Sequence, residues 1–257
     1  MRNFYVEARI KHKFAEARRY LQEVLEIYEK VQHLEGIADV YYELARLEYQ
    51  QGDLTAAHRW VDKCLQMGQQ LNSPDSLRIL SALSQFYAHA EEYVQAQYYL
   101  EKSIALSRQL GVKGGEKWGN AQLALIYVKT NSLNQAKVLL VKNYQTFFQT
   151  GDVVGIVFTF EVIAALAVLQ KQLTQAAQLI TWSDKMRQDV GDMRPNIEQA
   201  DIDQYVATIR AALGDEAYLA ACSFGQQMTT EEATTLALGI CNDHVPSYQA
   251  VFPTSTG

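Results

Sequence analysis

Cysteine is scarce, and the three present, Cys64, Cys222 and Cys241, form no CxxC pair. Neither a disulfide framework nor a zinc knuckle is supported, and a reducing compartment fits best. Four prolines and 14 glycines in 257 residues are few for a β-rich chain that must turn often. Cations are outnumbered: 23 Lys and Arg face 29 Asp and Glu, for a net charge of −6. Such a balance opposes binding to a phosphate backbone, which needs a basic face. The opening stretch MRNFYVEARIKHKF holds no apolar core of a secretory signal, so the chain reads as cytoplasmic. The most apolar run, Val153 to Leu169, is interrupted by Gly155, Thr159 and Glu161. It sits at the lower limit of the roughly 17–25 residues a membrane helix needs, and reads as a buried helix.

Motifs of chemistry are missing as well. There is no GxxxxGK[ST] phosphate loop. The glycine-rich Gly111-Val112-Lys113-Gly114-Gly115 follows a helical pattern rather than a strand, and reads as a connecting loop. His12, His33, His58, His89 and His244 show no metal-ligand spacing, and none pairs locally with Ser or Cys in a nucleophile motif. No catalytic residue, cofactor or metal is expected. Acidic residues gather late, from Asp184 through Glu198, Asp201, Asp203, Asp215 and Glu216 to Glu231, Glu232 and Asp243. That end is either a solvated acidic surface or a docking surface for a basic partner.

What the sequence does contain is repetition. Five segments place an aromatic residue or Leu three residues before an Ala: Phe14/Ala17, Leu54/Ala57, Tyr93/Ala96, Leu133/Ala136 and Leu173/Ala176. Successive markers are 40, 39, 40 and 40 residues apart. Downstream of each, apolar residues recur in steps of three and four, as in Phe14, Ala17, Leu21, Val24, Leu25, Tyr28 and Val31, which draws one stripe along a helix. Upstream lies a partner helix with a large residue beside a small one: Leu44-Ala45, Leu83-Ser84, Leu123-Ala124 and Ile163-Ala164. The position of Cys64 is held by Val24, Ser103, Asn143 and Ser183 in the other repeats, so it reads as a packing position. A hairpin of this size cannot cover both its faces, and stacking on the next supplies the missing contact.

Leu44-Ala45, Gly52-Asp53-Leu54 and Ala57 resemble the tetratricopeptide repeat in a variant of roughly 40 residues. The resemblance implies an all-α, right-handed superhelical solenoid of about five hairpins over residues 1–196. Capping helices of the same solenoid are expected over 197–240, from Ile197 to Leu213, Glu216 to Gln226 and Thr230 to Leu238, followed by a loose tail over 241–257. Two further stretches are similar to the C-terminal repeat region of bacterial regulators of the LuxR and MalT type, which carry a STAND-type ATPase. They are Gly151-Asp152-Val153-Val154-Gly155-Ile156 with Ala164 to Ala167, and Gln175 to Ala177 with Arg210 to Ala217 and Glu231 to Leu238. That likeness implies a sensor or interaction arm without catalysis, binding a protein or peptide, or an ATPase or DNA-binding module on another chain. A homo-oligomer is compatible with it. The alternative is an inducer-sensing domain that closes its groove on a small molecule.

In tetratricopeptide stacks the first helix of each hairpin lines the concave groove. Carrying that register over places Tyr42, Arg46, Tyr49, Arg78, Gln85, His89, Trp118, Lys129, Phe158 and Glu161 on the partner-binding surface. The early groove would then be polar and partly cationic, and the late groove apolar. Because the helix after Val153 is apolar nearly all round, later helices folding back over it are the competing expectation.

Overall fold

Two 17-residue helices and two three-residue turns make a period of 40, and this arithmetic organises the chain. In the computed structural model, which describes residues 13–242 apart from 52, 71–73 and 195, the helices are α1 (Phe14–Lys30), α2 (Leu34–Gln50), α3 (Leu54–Gln70), α4 (Pro74–His89), α5 (Tyr93–Gln109), α6 (Lys113–Lys129), α7 (Leu133–Gln149), α8 (Val153–Leu169), α9 (Leu173–Val190), α10 (Asn196–Leu213), α11 (Asp215–Gln227) and α12 (Thr230–Cys241). No strand occurs among the described residues. The single step of 39 arises because α4 is one residue shorter than the helices around it.

Six of the turns between helices close in the same way among the described residues. The middle residue of each takes a positive φ: Gln32, Glu91, Gly111, Asn131, Gly151 and Lys171. The next N–H then donates back to a carbonyl five residues earlier, as in His33 to Tyr28 (2.9 Å), Glu92 to Tyr87 (2.9 Å), Asp152 to Phe147 (3.0 Å) and Gln172 to Ala167 (2.8 Å). This is the Schellman closure, which satisfies carbonyls a helix end leaves open. Several helix starts are capped from the turn: His33 Nδ1 accepts from Gly36 N–H, Asp53 Oδ1 from Ala56 N–H and Asp152 Oδ1 from Gly155 N–H. Thr229 and Glu232 complete a capping box at α12.

The chain divides into two units, residues 1–126 and 127–257, with the boundary inside α6. In the first, α2 pairs with α3 and α4 with α5, while α1 packs on α2. Ala17 and Leu21 meet Val40, Leu44 and Leu47 there in one core cluster. In the second, α8 pairs with α9, and α7, α10 and α12 also lie against α8. Residues 155–167 are buried without a break. All five marker alanines, Ala17, Ala57, Ala96, Ala136 and Ala176, are fully buried.

One reading is corrected. Gly114 and Gly115 belong to the first turn of α6 and not to a loop. A Cβ at Gly115 would stand 2.5 Å from Ser107 Oγ on α5, so this glycine permits a close helix approach. The tail after Asn242 lies outside the described residues.

Candidate partner-binding face

Tyr42 and Arg46 lie one turn apart on α2, so their side chains share a face. The Arg46 guanidinium sits over the Tyr42 ring, 5.6 Å from its centroid. Its Nη1 reaches Glu43 Oε1 at a long 3.4 Å. Arg46 is thus steadied by its own helix while retaining donors for another molecule. The other Glu43 oxygen is buried, with no hydrogen-bond partner among the described residues. One turn further, Tyr49 donates from its hydroxyl to the carbonyl of His89 on α4 at 2.9 Å, and its ring meets Phe86 edge-on at 5.5 Å. Tyr49 therefore joins the two helices, leaving Gln85 and His89 exposed beside it. Arg18 shows the contrast: its Nη2 donates at 2.7 Å to buried Glu48, which makes it part of the scaffold.

Five expected residues, Tyr42, Arg46, Tyr49, Gln85 and His89, are thus gathered on α2 and α4. Arg78 lies in α4, with its side chain outside the described residues. Trp118 is half-buried on α6. Three others belong to the second unit. Lys129 donates at 2.7 Å to Asp201 and lies over the Tyr205 ring. Burial, the largest single influence, pulls its ammonium pKa down, but the hydrogen bonds and charges of Asp201 and Tyr205 together outweigh it and the net shift is upward.

Phe158 and Glu161 are buried rather than open to a groove, because α10 and α12 cover α8. Glu161 accepts two bonds from Arg187, at 2.7 and 2.8 Å, and a further 2.6 Å bond from Arg194. Arg187 also holds Asp192, and Arg194 also reaches Asp184 and Gln199. The arginines carry no signal in the repeat register. The available signal is Glu161 itself, a lone carboxylate in an apolar helix whose burial calls for a cation; the repeat register assigns it to the groove instead.

Glu198 stands at the edge of this cluster. Burial first, and the Glu161 charge second, push its carboxyl above the usual range. A raised carboxyl favours the protonated native state, so it supports folding below the ordinary carboxylate range and loses that support as pH rises through the shifted value. Glu198→Gln should therefore raise the melting temperature at pH 7 by about 1–2 °C, with no gain near pH 3. Calorimetry at both values checks this; an unchanged or lowered melting temperature at pH 7 contradicts it.

Among the described residues no group of His, Cys, Asp or Glu could hold a metal ion, and no helix is long and apolar enough to cross a membrane. Comparison with known proteins finds a tetratricopeptide repeat match over residues 6–70, which spans α1 to α3. No curated protein matches the chain. Among solved structures, the crystal structure of BtubC (BKLC) from P. vanneervenii matches with a TM-score of 0.60 at 18% identity, covering 96% of this chain and 98% of that one. The two share a fold along nearly their whole lengths. Tetratricopeptide repeats generally mediate protein–protein interaction.

Proposed function

We propose that the protein is a non-catalytic scaffold that binds a protein or peptide partner on the α2/α4 face of its first unit. The observation that carries this is Arg46, half-exposed, set over Tyr42 and engaged by one long ion pair among the described residues, within the segment that matches the tetratricopeptide repeat. Arg and Tyr are favoured anchors of protein interfaces because they combine apolar area with directional donors. A partner carboxylate at Arg46 would gain a charge-assisted bond. The repeat likeness to LuxR- and MalT-type regulators supports a finer reading: an interaction arm of a cytoplasmic bacterial signalling or transcription-regulatory system, whose partner is an effector or ATPase module on another chain.

A photo-crosslinking amino acid at Gln85, on the proposed face, and at exposed Arg59 on α3 tests this in extracts of the host. A discrete adduct is expected from position 85 only. Against the captured partner, Arg46→Ala should weaken binding by about tenfold or more. Equal adducts at both positions, or undiminished affinity, would reject the assignment.

A further inference from the structure

The last pair of helices offers a second surface with different chemistry. α11 is seated on α9 through small residues: Ala221 and Gly225 are buried. A Cβ on Gly225 would meet the Gln178 carbonyl oxygen at 2.5 Å. The opposite side of α11 is left open. Glu216, Leu219, Ala220, Ser223, Phe224 and Gln227 are all exposed, and steps of three and four residues put them on one arc. Leu219 is 60% and Phe224 55% exposed. The following helix does not cover them, since α12 packs on α7, α8 and α9. A helix on the outside of a repeat stack ordinarily presents a polar outer face. Here two large apolar side chains stand in its place.

The segment that carries them is one-sided in charge, although Lys185 on α9 donates to the Gln226 carbonyl of α11 at 3.0 Å. Residues 196–242 contain seven carboxylates, Glu198, Asp201, Asp203, Asp215, Glu216, Glu231 and Glu232, against a single cation, Arg210. Their net of −6 equals that of the whole chain, so the remaining residues balance to zero. Arg210 is already held by Asp215, and Asp201 by Lys129, while Asp203, Glu216, Glu231 and Glu232 are exposed. Nucleic acid and anionic lipid are repelled by such a field. An acidic surface with an apolar strip complements a segment that is cationic on one side and apolar on the other.

We propose that the outer face of α11, with its acidic surroundings, docks a lysine- and arginine-rich amphipathic helical segment of a partner protein. Leu219 and Phe224 receive its apolar side, and the carboxylates face its cations. This surface is independent of the α2/α4 face.

The test uses the full chain and a labelled 18-residue peptide of Leu and Lys at helical spacing. Two further peptides serve as controls: one of the same composition scrambled to destroy the apolar side, and one with Glu replacing Lys. Saturable binding is expected for the first peptide alone, weakening about tenfold between 50 and 500 mM salt. Leu219→Ser/Phe224→Ser should weaken it about tenfold or more, as should Glu216→Lys, with helix content unchanged by circular dichroism. Tyr42→Ala/Arg46→Ala should leave it unaltered. Equal binding of the scrambled peptide would show attraction by charge alone and overturn the proposal. So would full-strength binding by the Leu219/Phe224 variant. A dimer in sedimentation that Phe224→Ser dissociates would identify a second copy as the occupant, and would overturn it too.

Discussion

Glu161→Ala is expected to lower the unfolding free energy by about 3–5 kcal/mol, the range for removing one member of a buried ion cluster. The carboxylate is 7% exposed and its two arginines 8% and 5%, so little solvent can replace the lost charge. Asp192 and Asp184 remain as partners, but Asp184 is itself half-exposed and compensates weakly. The cost is that of leaving cations without an anion, and not the net worth of the cluster. Replacing Glu161, Arg187 and Arg194 together by Leu or Met should therefore recover most of the loss. Trp182, buried against the Phe160 ring, reports the transition in urea once Trp60 and Trp118 are changed to Phe. A loss under about 1 kcal/mol for Glu161→Ala, or a triple variant no better than the single one, would show that the cluster is not electrostatically demanding.

The same cluster marks where sequence reasoning stopped. The period and the marker alanines were legible because packing between neighbouring helices imposes a local pattern, one small residue per hairpin. The buried character of α8 was legible too, since its apolar residues leave no polar side. The partners of Glu161 were not. Arg187 and Arg194 lie 26 and 33 residues away, and only the path of the chain around α9 brings them in. Whether the helices after residue 196 would cover α8 was open for a related reason. Composition shows that a face must be buried, without showing by which helix. α12 could serve only once its position against α7, α8 and α9 was known.

Turns illustrate a finer limit. Glycine is the usual mark of a left-handed residue, yet Glu91, Asn131 and Lys171 adopt that conformation at equivalent places. A left-handed L-residue costs roughly 1–2 kcal/mol. The closing hydrogen bond and the stacked hairpins offset it, so the geometry survives where its sequence signal has gone. The acidic end shows the reverse. Its charge was plain in the sequence, but the exposed Leu219 and Phe224 within it became evident only when α11 was seen to rest on α9 through Ala221 and Gly225.

Gly155→Ala should destabilise by about 1–3 kcal/mol although alanine is the better helix former. Gly155 is the third residue of α8 and packs on Phe147, third from the end of α7. An added Cβ would lie 2.0 Å from Phe147 Cδ1 and 2.3 Å from Cε1. Phe147 is fully buried, so its ring has nowhere to turn and the two helices must separate. Overpacking of this kind exceeds the gain of up to about 1 kcal/mol that alanine brings to a helix. Gly36 occupies the same register against Tyr28, at 2.6 Å. Tyr28, however, is only half-buried and can swing outward, so Gly36→Ala should be nearly neutral. Gly239, in α12, has nothing within 4 Å of a Cβ, and Gly239→Ala should stabilise by about 0.5–1 kcal/mol. The order Gly155, Gly36, Gly239, from most to least damaging in thermal or urea unfolding, follows from space alone. Helix propensity by itself would make all three substitutions favourable, and that common outcome would refute close approach at the hairpin junctions as the reason glycine stands there.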